Sequence, residues 1–251
     1  MVHRLIVAVG LALVCCGCAN QPLGDARHIV IVVSGAGGYG PGIGNLIRGL
    51  HTDSPEADFE VFHWGVPAPL FMLNLQNDAI HRDAERKLAR WIESRAAMPS
   101  QPRIDLVGHS AGCGVALGAM ALLRNVQIDT VMMLSPSVSP GYDLRPALDH
   151  ASGSVHVFYS SRDTLWLGWR ASHFGTYDNV KTRAAGNAGF DNAPVHVIQH
   201  AYDPGWQSLG NDGGHFGTLS FRFAKQTLSS ILAEDILSST TLGNNAIGSG
   251  R

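Results

Sequence analysis

The chain has 251 residues, of which 45% are hydrophobic and 15% are charged, which suits one domain with a sizeable core and excludes disorder or a coiled coil as the main architecture. Lys and Arg total 18 against 20 Asp and Glu, a formal net charge of -2, so no global basic field favours nucleic acid as a partner. The 29 Gly and 12 Pro residues follow no repeat period, which excludes solenoids and collagen.

The N-terminal segment is typical of an export signal. A short basic start precedes an apolar run over residues 5–14, which is too short for a permanent membrane-spanning helix, and then a cluster of cysteines. The segment around Cys18, which follows Gly17, resembles a bacterial lipoprotein signal. We therefore predict a signal peptide over residues 1–17 and lipidation of Cys18, which would anchor the exported protein to a membrane of the cell envelope. Cys16 is the alternative lipidation site, and an ordinary signal followed by secretion is the alternative to lipidation.

After a linker over residues 18–27, short apolar runs alternate with helical patterns. Six runs are predicted to be strands buried on both faces of a parallel sheet: 29–33, 60–64, 104–107, 130–134, 155–159 and 195–198. Apolar residues at helical spacing predict a surface helix within 80–92 and a last helix within 221–232. We therefore predict one α/β domain over residues 28–237, with a mainly parallel sheet of about six strands flanked by helices. The small, polar tail over 238–251 is predicted to be disordered.

The first predicted strand runs into a glycine-rich loop, Val33-Ser-Gly-Ala-Gly-Gly-Tyr-Gly40. Loops of this kind cradle a phosphate or present backbone N–H groups to an oxyanion. The loop lacks the Lys-Ser/Thr pair of a P-loop, and no acidic residue ends the second strand as ribose binding would require. The sequence therefore favours an oxyanion site over a nucleotide site, with a plain tight turn as the alternative.

The third predicted strand leads into Gly108-His-Ser-Ala-Gly112 and then into a helix-compatible segment. A serine on a sharp strand-to-helix turn needs strained backbone dihedrals, and the glycines leave room for the neighbouring strand and helix. The turn would expose the Ser110 hydroxyl at the sheet edge, beside helix N–H groups that favour negative charge. We predict that Ser110 is a nucleophile and that the backbone N–H groups of Ala36 and Ala111 form an oxyanion hole.

A nucleophilic serine needs a base, and a histidine base needs a carboxylate that fixes its tautomer. His215 lies between the last strand and the last helix and is the predicted base, with His200 as the alternative. Asp163 follows the fifth strand at its carboxyl end and is the predicted acid, with Asp203 and Asp143 as alternatives. No histidine pair has metal-ligand spacing, so we expect neither a metal nor another cofactor.

A long segment without clear periodicity follows the predicted acid. Its aromatic residues are Trp166, Trp169, Phe174, Tyr177 and Phe190. We expect residues 164–190 to line an acyl pocket or to form a flap, with residues 70–73 as the facing wall. A satellite core under a long loop is the alternative.

With a strand, a G-x-S-x-G turn and a helix, and with Ser110, Asp163 and His215 in this chain order, the sequence resembles the α/β-hydrolase superfamily on its esterase and lipase side. The resemblance spans roughly residues 27–237. It implies a minimal six-stranded form of that fold and hydrolysis of a small-molecule or lipid ester through a serine acyl-enzyme. Acyl transfer to another acceptor and a non-catalytic envelope protein that binds a ligand or partner are the alternative functions.

Overall fold

The computed structural model describes residues 26–38, 41–66 and 70–233. The predicted signal peptide, Cys18 and the predicted tail lie outside these residues. Six parallel strands form one sheet in the order β2-β1-β3-β4-β5-β6. The strands are β1 (His28–Val33), β2 (Asp58–Phe62), β3 (Arg103–His109), β4 (Val131–Leu134), β5 (Val155–Tyr159) and β6 (Val197–Ala201).

Helices and helical turns connect the strands. The α-helices are α1 (Pro41–Leu50), α2 (Asp78–Ala96), α3 (Ala111–Met120), α4 (Arg145–Leu148), α5 (Ala171–Phe174), α6 (Ala185–Ala188) and α7 (Phe221–Phe223). Short stretches of 3₁₀-helix cover Leu70–Leu75, Pro204–Leu209 and Gly217–Leu219, and π-helical turns cover Thr164–Arg170 and Ala224–Leu228. The last π-helical turn continues as a helix to residue 233. None of the helices in the described ranges has the length and apolarity needed to cross a membrane.

The sheet is covered on both faces, and β1 shows the division most clearly. Ile29, Ile31 and Val33 point into a core that they share with α2 and α3. Val30 and Val32 point into a second core, built with α1 and the C-terminal helix. Because both faces of the strand are buried, its sequence is a continuous apolar run without polar alternation.

The predicted fold class is confirmed, and the predicted strand over 155–159 has the bounds of β5. The predictions for the two edge strands, at 60–64 and 195–198, were displaced by about two residues from β2 and β6. An edge strand pairs on one side only, so its extent follows the register with its inner neighbour more than its own apolar run. Val195 is 99% exposed, outside the sheet.

The strand order brings the glycine-rich loop and the serine turn together. The chain passes from β1 outward to β2 and then returns across β1 to β3, so the order of the sheet reverses between β1 and β3. In open α/β sheets, a crevice forms at such a reversal, outside the carboxyl ends of the strands. The loop after β1 and the turn after β3 both lie at this crevice.

Candidate active site

Ser110 lies between β3 and α3 in a backbone conformation that serine rarely adopts, with φ 56° and ψ -126°. Hydrogen bonds to neighbouring elements hold this conformation. The Ser110 N–H donates to the Leu134 carbonyl at 2.9 Å, and the Ser110 carbonyl accepts the N–H of Ser137 at 3.1 Å. The end of β4 therefore fixes the turn from both sides, which offsets the strain of the left-handed φ.

The two glycines of the G-x-S-x-G turn are required by close backbone contacts. A Cβ on Gly108 would lie 2.9 Å from Cα of Cys113, in the first turn of α3. A Cβ on Gly112 would lie 2.4 Å from the Ser34 carbonyl oxygen, in the loop after β1. The steric reason for this motif that the sequence suggests is thus confirmed, and the second contact also sets the distance between α3 and the glycine-rich loop.

The structure brings Ser110, His215 and Asp163 into one hydrogen-bonded chain. The Ser110 Oγ is 3.0 Å from Nε2 of His215, and Nδ1 of His215 is 2.6 Å from Oδ2 of Asp163. A carboxylate only accepts, so Nδ1 of His215 carries a proton and Nε2 is left to accept the hydroxyl proton of Ser110. Asp163 is 3% exposed, and Ser110 and His215 are each 9% exposed.

The carboxylate of Asp163 is fixed by the helical turn that begins immediately after it. Oδ1 accepts the N–H of Leu167 at 3.3 Å, so that Asp163 caps the π-helical turn. The Asp163 carbonyl accepts the N–H of Gly168 at 3.0 Å and an amide proton of the buried Asn187 at 3.1 Å. With Oδ1 and the main chain held in this way, Oδ2 faces His215.

The alternative base and acids make contacts of a different kind. Nε2 of His200 is 2.9 Å from Nδ1 of His156, and burial lowers the pKa of His200. Asp203 accepts the N–H of Gly205 at 2.7 Å as the cap of a 3₁₀ turn.

Asp143, the third alternative, binds a neighbouring arginine. Its Oδ1 accepts a proton from Nε of Arg145 at 2.9 Å, and both side chains are largely exposed. For Asp203 and Asp143, turn and cap contacts of this kind are the ordinary role of a loop aspartate.

His109 supports the loop that carries His215, a role that the sequence did not suggest. Its Nε2 donates to the backbone carbonyl of His215 at 3.1 Å, and the two rings are 5.1 Å apart. Burial, together with the charge of a protonated His215, lowers the pKa of His109 to about 3. His109 is therefore neutral at ordinary pH and acts as a hydrogen-bond donor.

Both residues predicted for the oxyanion hole adjoin Ser110. Ala111 is the first residue of α3, where backbone N–H groups have no intrahelical acceptor. Ala36 is 6% exposed and lines the same cavity as Ser110. A Cβ on Gly35 would lie 3.3 Å from Nδ1 of His109 and 3.4 Å from Cβ of Ser110, so the glycine-rich loop packs directly against the serine turn.

A fully buried amide, Asn74, holds the glycine-rich loop in place. Its Nδ2 donates to the carbonyls of Ala36 at 2.8 Å and of Val66 at 2.7 Å, while its Oδ1 accepts the N–H of Val66 at 2.7 Å. The Asn74 carbonyl accepts from Nε2 of His81 in α2 at 2.7 Å. The sequence gives no signal for Asn74, because its partner Ala36 is 38 residues away and no local motif links the two positions.

A cavity of about 420 Å³ opens onto Ser110 and His215. Glycines of the loop after β1 form one wall. The apolar lining residues include Ile43, Leu75, Trp166, Leu167, Phe216 and Leu219. The Trp166 ring stacks on His215 with a centroid distance of 5.8 Å. The pocket next to the serine thus has an apolar interior.

The expectations for the aromatic segment hold in part. Trp166 lines the cavity, whereas Tyr177 and Phe190 are buried in the main core, and Trp169 and Phe174 are exposed. Of the facing wall predicted at residues 70–73, Leu70 and Leu73 do not line the cavity, and the side chains of residues 71 and 72 lie outside the described part of the chain. The side chains of Leu70 and Leu73 are exposed, and Leu75, on the last residue of the same 3₁₀ turn, lines the cavity instead.

Within the described ranges, no three His, Cys, Asp or Glu side chains are grouped so that they could hold a metal ion. Cys113, directly below the serine turn, is fully buried, and burial raises the pKa of its thiol far above the usual range. A thiol in such surroundings stays protonated and unreactive.

Comparison of the structure with solved structures identifies the fold. A Thermus thermophilus protein, TT1662, superposes with a TM-score of 0.53 at 13% identity over 84% of this chain and 90% of that protein. Est1E from Butyrivibrio proteoclasticus gives a TM-score of 0.50 at 14% identity over 87% of this chain and 91% of that protein. The chain has the α/β-hydrolase fold. The esterase domain of a Rhodothermus marinus protein aligns with a TM-score of 0.49 at 12% identity, covering 82% of this chain and 86% of that domain.

Neither a protein-family model nor a curated protein sequence matches this chain. At identities of this level, structural likeness identifies the fold, and the function has to be argued from the site itself.

Proposed function

We propose that the protein is a serine hydrolase that cleaves carboxylic esters, with Ser110 as nucleophile, His215 as base and Asp163 as the acid that orients it. One observation carries the proposal: an unbroken hydrogen-bonded chain from Asp163 through His215 to Ser110, at the mouth of an apolar cavity. Serine, imidazole and carboxylate in this order form the usual unit for acyl transfer to water.

In the proposed acylation step, Ser110 Oγ attacks the ester carbonyl carbon as its proton passes to Nε2 of His215. The carbonyl oxygen becomes an oxyanion, which the N–H groups of Ala36 and Ala111 stabilise. Collapse of this intermediate breaks the bond to the leaving alkoxide, which takes the proton from His215. Asp163 stabilises the positive imidazolium that exists between these two proton transfers.

In the deacylation step, a water molecule gives a proton to Nε2 of His215 and attacks the acyl carbon. The bond to Ser110 Oγ then breaks, and the serine regains its proton from the imidazolium. The products are an alcohol and a carboxylic acid, and the enzyme returns to its starting state. The apolar lining of the cavity supports binding of the acyl group by burial of its methylene groups, at roughly 0.8 kcal/mol each.

Hydrolysis of para-nitrophenyl esters with graded acyl lengths tests the proposal. We expect turnover by the wild type and a loss of at least about 10⁴-fold in kcat in Ser110→Ala, since removal of the nucleophile disables the whole unit. Ser208→Ala, which alters an exposed serine, is the matched control and should behave like the wild type. Equal turnover in Ser110→Ala and the wild type would exclude Ser110 as the nucleophile.

We also propose that the protein is exported and anchored to a membrane through a lipid on Cys18. The basic start, the short apolar run and the cysteine that follows Gly17 support this proposal. A labelled fatty acid should enter the protein in a bacterial host, and Cys18→Ser should lose the label. Label that persists in Cys18→Ser but disappears in Cys16→Ser would move the anchor to Cys16, and an unlabelled wild type would indicate an ordinary secretory signal.

A further inference from the structure

The cavity beside Ser110 carries one permanent charge among its described lining residues, the guanidinium of Arg170. Its other ionisable lining groups are His109 and His215, and the remaining lining residues are apolar, glycine or serine. Because His109 is neutral, the resting cavity combines an apolar interior with a single cation.

Arg170 is connected to the proposed machinery through two ring contacts. It is the last residue of the π-helical turn that begins after Asp163. Its Cζ lies 5.9 Å from the centroid of the Trp166 ring, and this ring stacks on His215. The apolar Trp166 ring thus contacts both the guanidinium of Arg170 and the imidazole of His215.

The surroundings of Arg170 favour an anion as its ligand. The side chain is half-buried, and this burial lowers its pKa, because a low-polarity environment disfavours the charged form. An anion bound in the cavity would add a charge-assisted interaction to those that the guanidinium already makes within the protein. The planar guanidinium has five N–H donors, so it can bind a carboxylate in a bidentate manner while it keeps its contacts within the protein.

We propose that the substrate is an ester with a terminal carboxylate or another anionic group, separated from the scissile carbonyl by an apolar spacer, and that Arg170 binds this anion. The inference rests on the proposed ester hydrolysis at Ser110. It assigns the apolar spacer to the cavity lining formed by Trp166 and Leu167, and the anion to Arg170 in the same lining.

Matched pairs of esters measure the effect of the anion alone. The first arm uses the mono-para-nitrophenyl esters of adipic, suberic and sebacic acid, each against the analogue whose free carboxylate is capped as a methyl ester. The second arm uses para-acetoxybenzoate against its methyl ester, which carries the anion on the alcohol side. In each arm, the quantity compared between proteins is the ratio of kcat/KM for the anionic ester to kcat/KM for the capped one.

We expect Arg170→Gln to lower this ratio by roughly ten-fold to hundred-fold in the arm that matches the binding mode, because a charge-assisted hydrogen bond is lost. Arg170→Lys should retain part of the preference. Arg222→Gln, which removes an exposed charge on α7 outside the cavity lining, is the matched control and should keep the wild-type ratio. In the wild type, the ratio should also fall with rising ionic strength, a measurement that does not depend on the folding of any variant.

An unchanged ratio in Arg170→Gln in both arms, with hydrolysis of the capped esters intact, would overturn the role of Arg170 and leave the proposed function in place. In that case, Arg170 would serve only through its contacts within the protein, such as the one with Trp166. A wild-type ratio that does not respond to salt would count against the inference in the same way. If the wild type hydrolyses none of the capped or anionic esters, the proposed function itself fails.

Discussion

At Ser110, a strained residue is held by contacts from the end of β4, from the loop after β1 and from the loop that carries His215. Its N–H and carbonyl bind the segment at the end of β4, its hydroxyl faces His215, and Gly112 allows the loop after β1 to approach. Each partner is anchored in turn, His215 through its carbonyl and Asp163 through the helical turn that it caps. Such fixed geometry suits an acyl-transfer site, because misplacement of a catalytic group by 1 Å can reduce the rate by about a hundred-fold.

We predict that His215→Ala reduces kcat for ester hydrolysis nearly as far as Ser110→Ala, by at least about 10⁴-fold, because the serine and its base act as one unit. The double variant should lose little more than either single variant. The loss of kcat in Asp163→Asn should be no larger than in His215→Ala, since the base is still present but is misoriented. Steady-state kinetics with a para-nitrophenyl ester measures all four proteins.

The alternatives from the sequence provide matched controls for this prediction. His200→Ala removes an imidazole that contacts His156, and Asp203→Asn changes a helix cap. Both should retain kcat close to that of the wild type. A large loss in His200→Ala with near-normal turnover in His215→Ala would transfer the role of base to His200.

At the scale of elements, the loop after β1 depends on the 3₁₀ turn that follows β2. Asn74 links the two by its bonds to Ala36 and Val66, and its own carbonyl is tied to α2 through His81. The oxyanion donor proposed at Ala36 is therefore positioned from two sides, by Asn74 and by the packing of Gly35 against the serine turn.

We predict that Asn74→Asp lowers kcat by roughly ten-fold to hundred-fold, with little change in KM, because the loop loses the amide donor to the Ala36 carbonyl while the apolar cavity remains. Asp can still accept the Val66 N–H, so this variant removes only the two bonds that Nδ2 donates, to the carbonyls of Ala36 and Val66. The affinity for a boronic acid that forms a tetrahedral adduct should fall with kcat. Gln76→Leu, on an exposed amide of the same segment, is the control.

A fall in thermal stability without any fall in kcat or in boronic acid affinity would show that Asn74 has a purely structural role. Equal losses in Asn74→Asp and Gln76→Leu would indicate a general disturbance of this segment.

The sequence predicted those elements that are determined by local contacts or by a continuous apolar run. The central strands are continuous apolar runs, and the G-x-S-x-G turn has its steric reason within a few residues of itself. The displaced edge strands and Asn74 depend instead on pairing or hydrogen bonds between distant segments. Arg170 was missed for a similar reason. Its position at the cavity depends on a π-helical turn, and the sequence of this turn shows no clear periodicity.

At the scale of the whole molecule, the two ends of the parallel sheet differ in character. The carboxyl end carries the serine, its partners and the apolar cavity. Towards the other end, Asp105 is fully buried and bound by His28 at 2.7 Å and by Arg103 at 3.1 Å. Buried charges are tolerated only when they are paired in this way, so we interpret this cluster as structural. At the carboxyl end, a titratable group that affects stability is His109.

His109 predicts how stability depends on pH. Its folded pKa lies near 3, below the ordinary value of 6.5, so the unfolded chain takes up a proton in acid that the folded protein does not. The stabilisation of the folded state by neutral His109 is complete above pH 6.5 and is lost progressively as the pH falls below this value. Between roughly pH 7 and pH 5, the free energy of unfolding of the wild type should therefore decrease. In His109→Gln, which lacks this titrating group, the decrease should be smaller by about 2 kcal/mol.

Urea unfolding at both pH values measures this difference. The titration of the other histidines is common to both proteins and cancels in the comparison. Identical pH slopes for the two proteins would mean that His109 is protonated in the folded state and would remove it as a neutral donor to the His215 carbonyl.

Ser110 is the proposed nucleophile, and its activation by His215 can be measured directly. The most direct measurement is reaction of the folded protein with a fluorophosphonate, followed by peptide mass spectrometry that locates the adduct. We predict a single stoichiometric adduct on Ser110 of the wild type and loss of labelling in both Ser110→Ala and His215→Ala, since an unactivated serine does not react. Labelling of Ser110→Ala to the same extent as the wild type, or an adduct on another serine, would contradict the account.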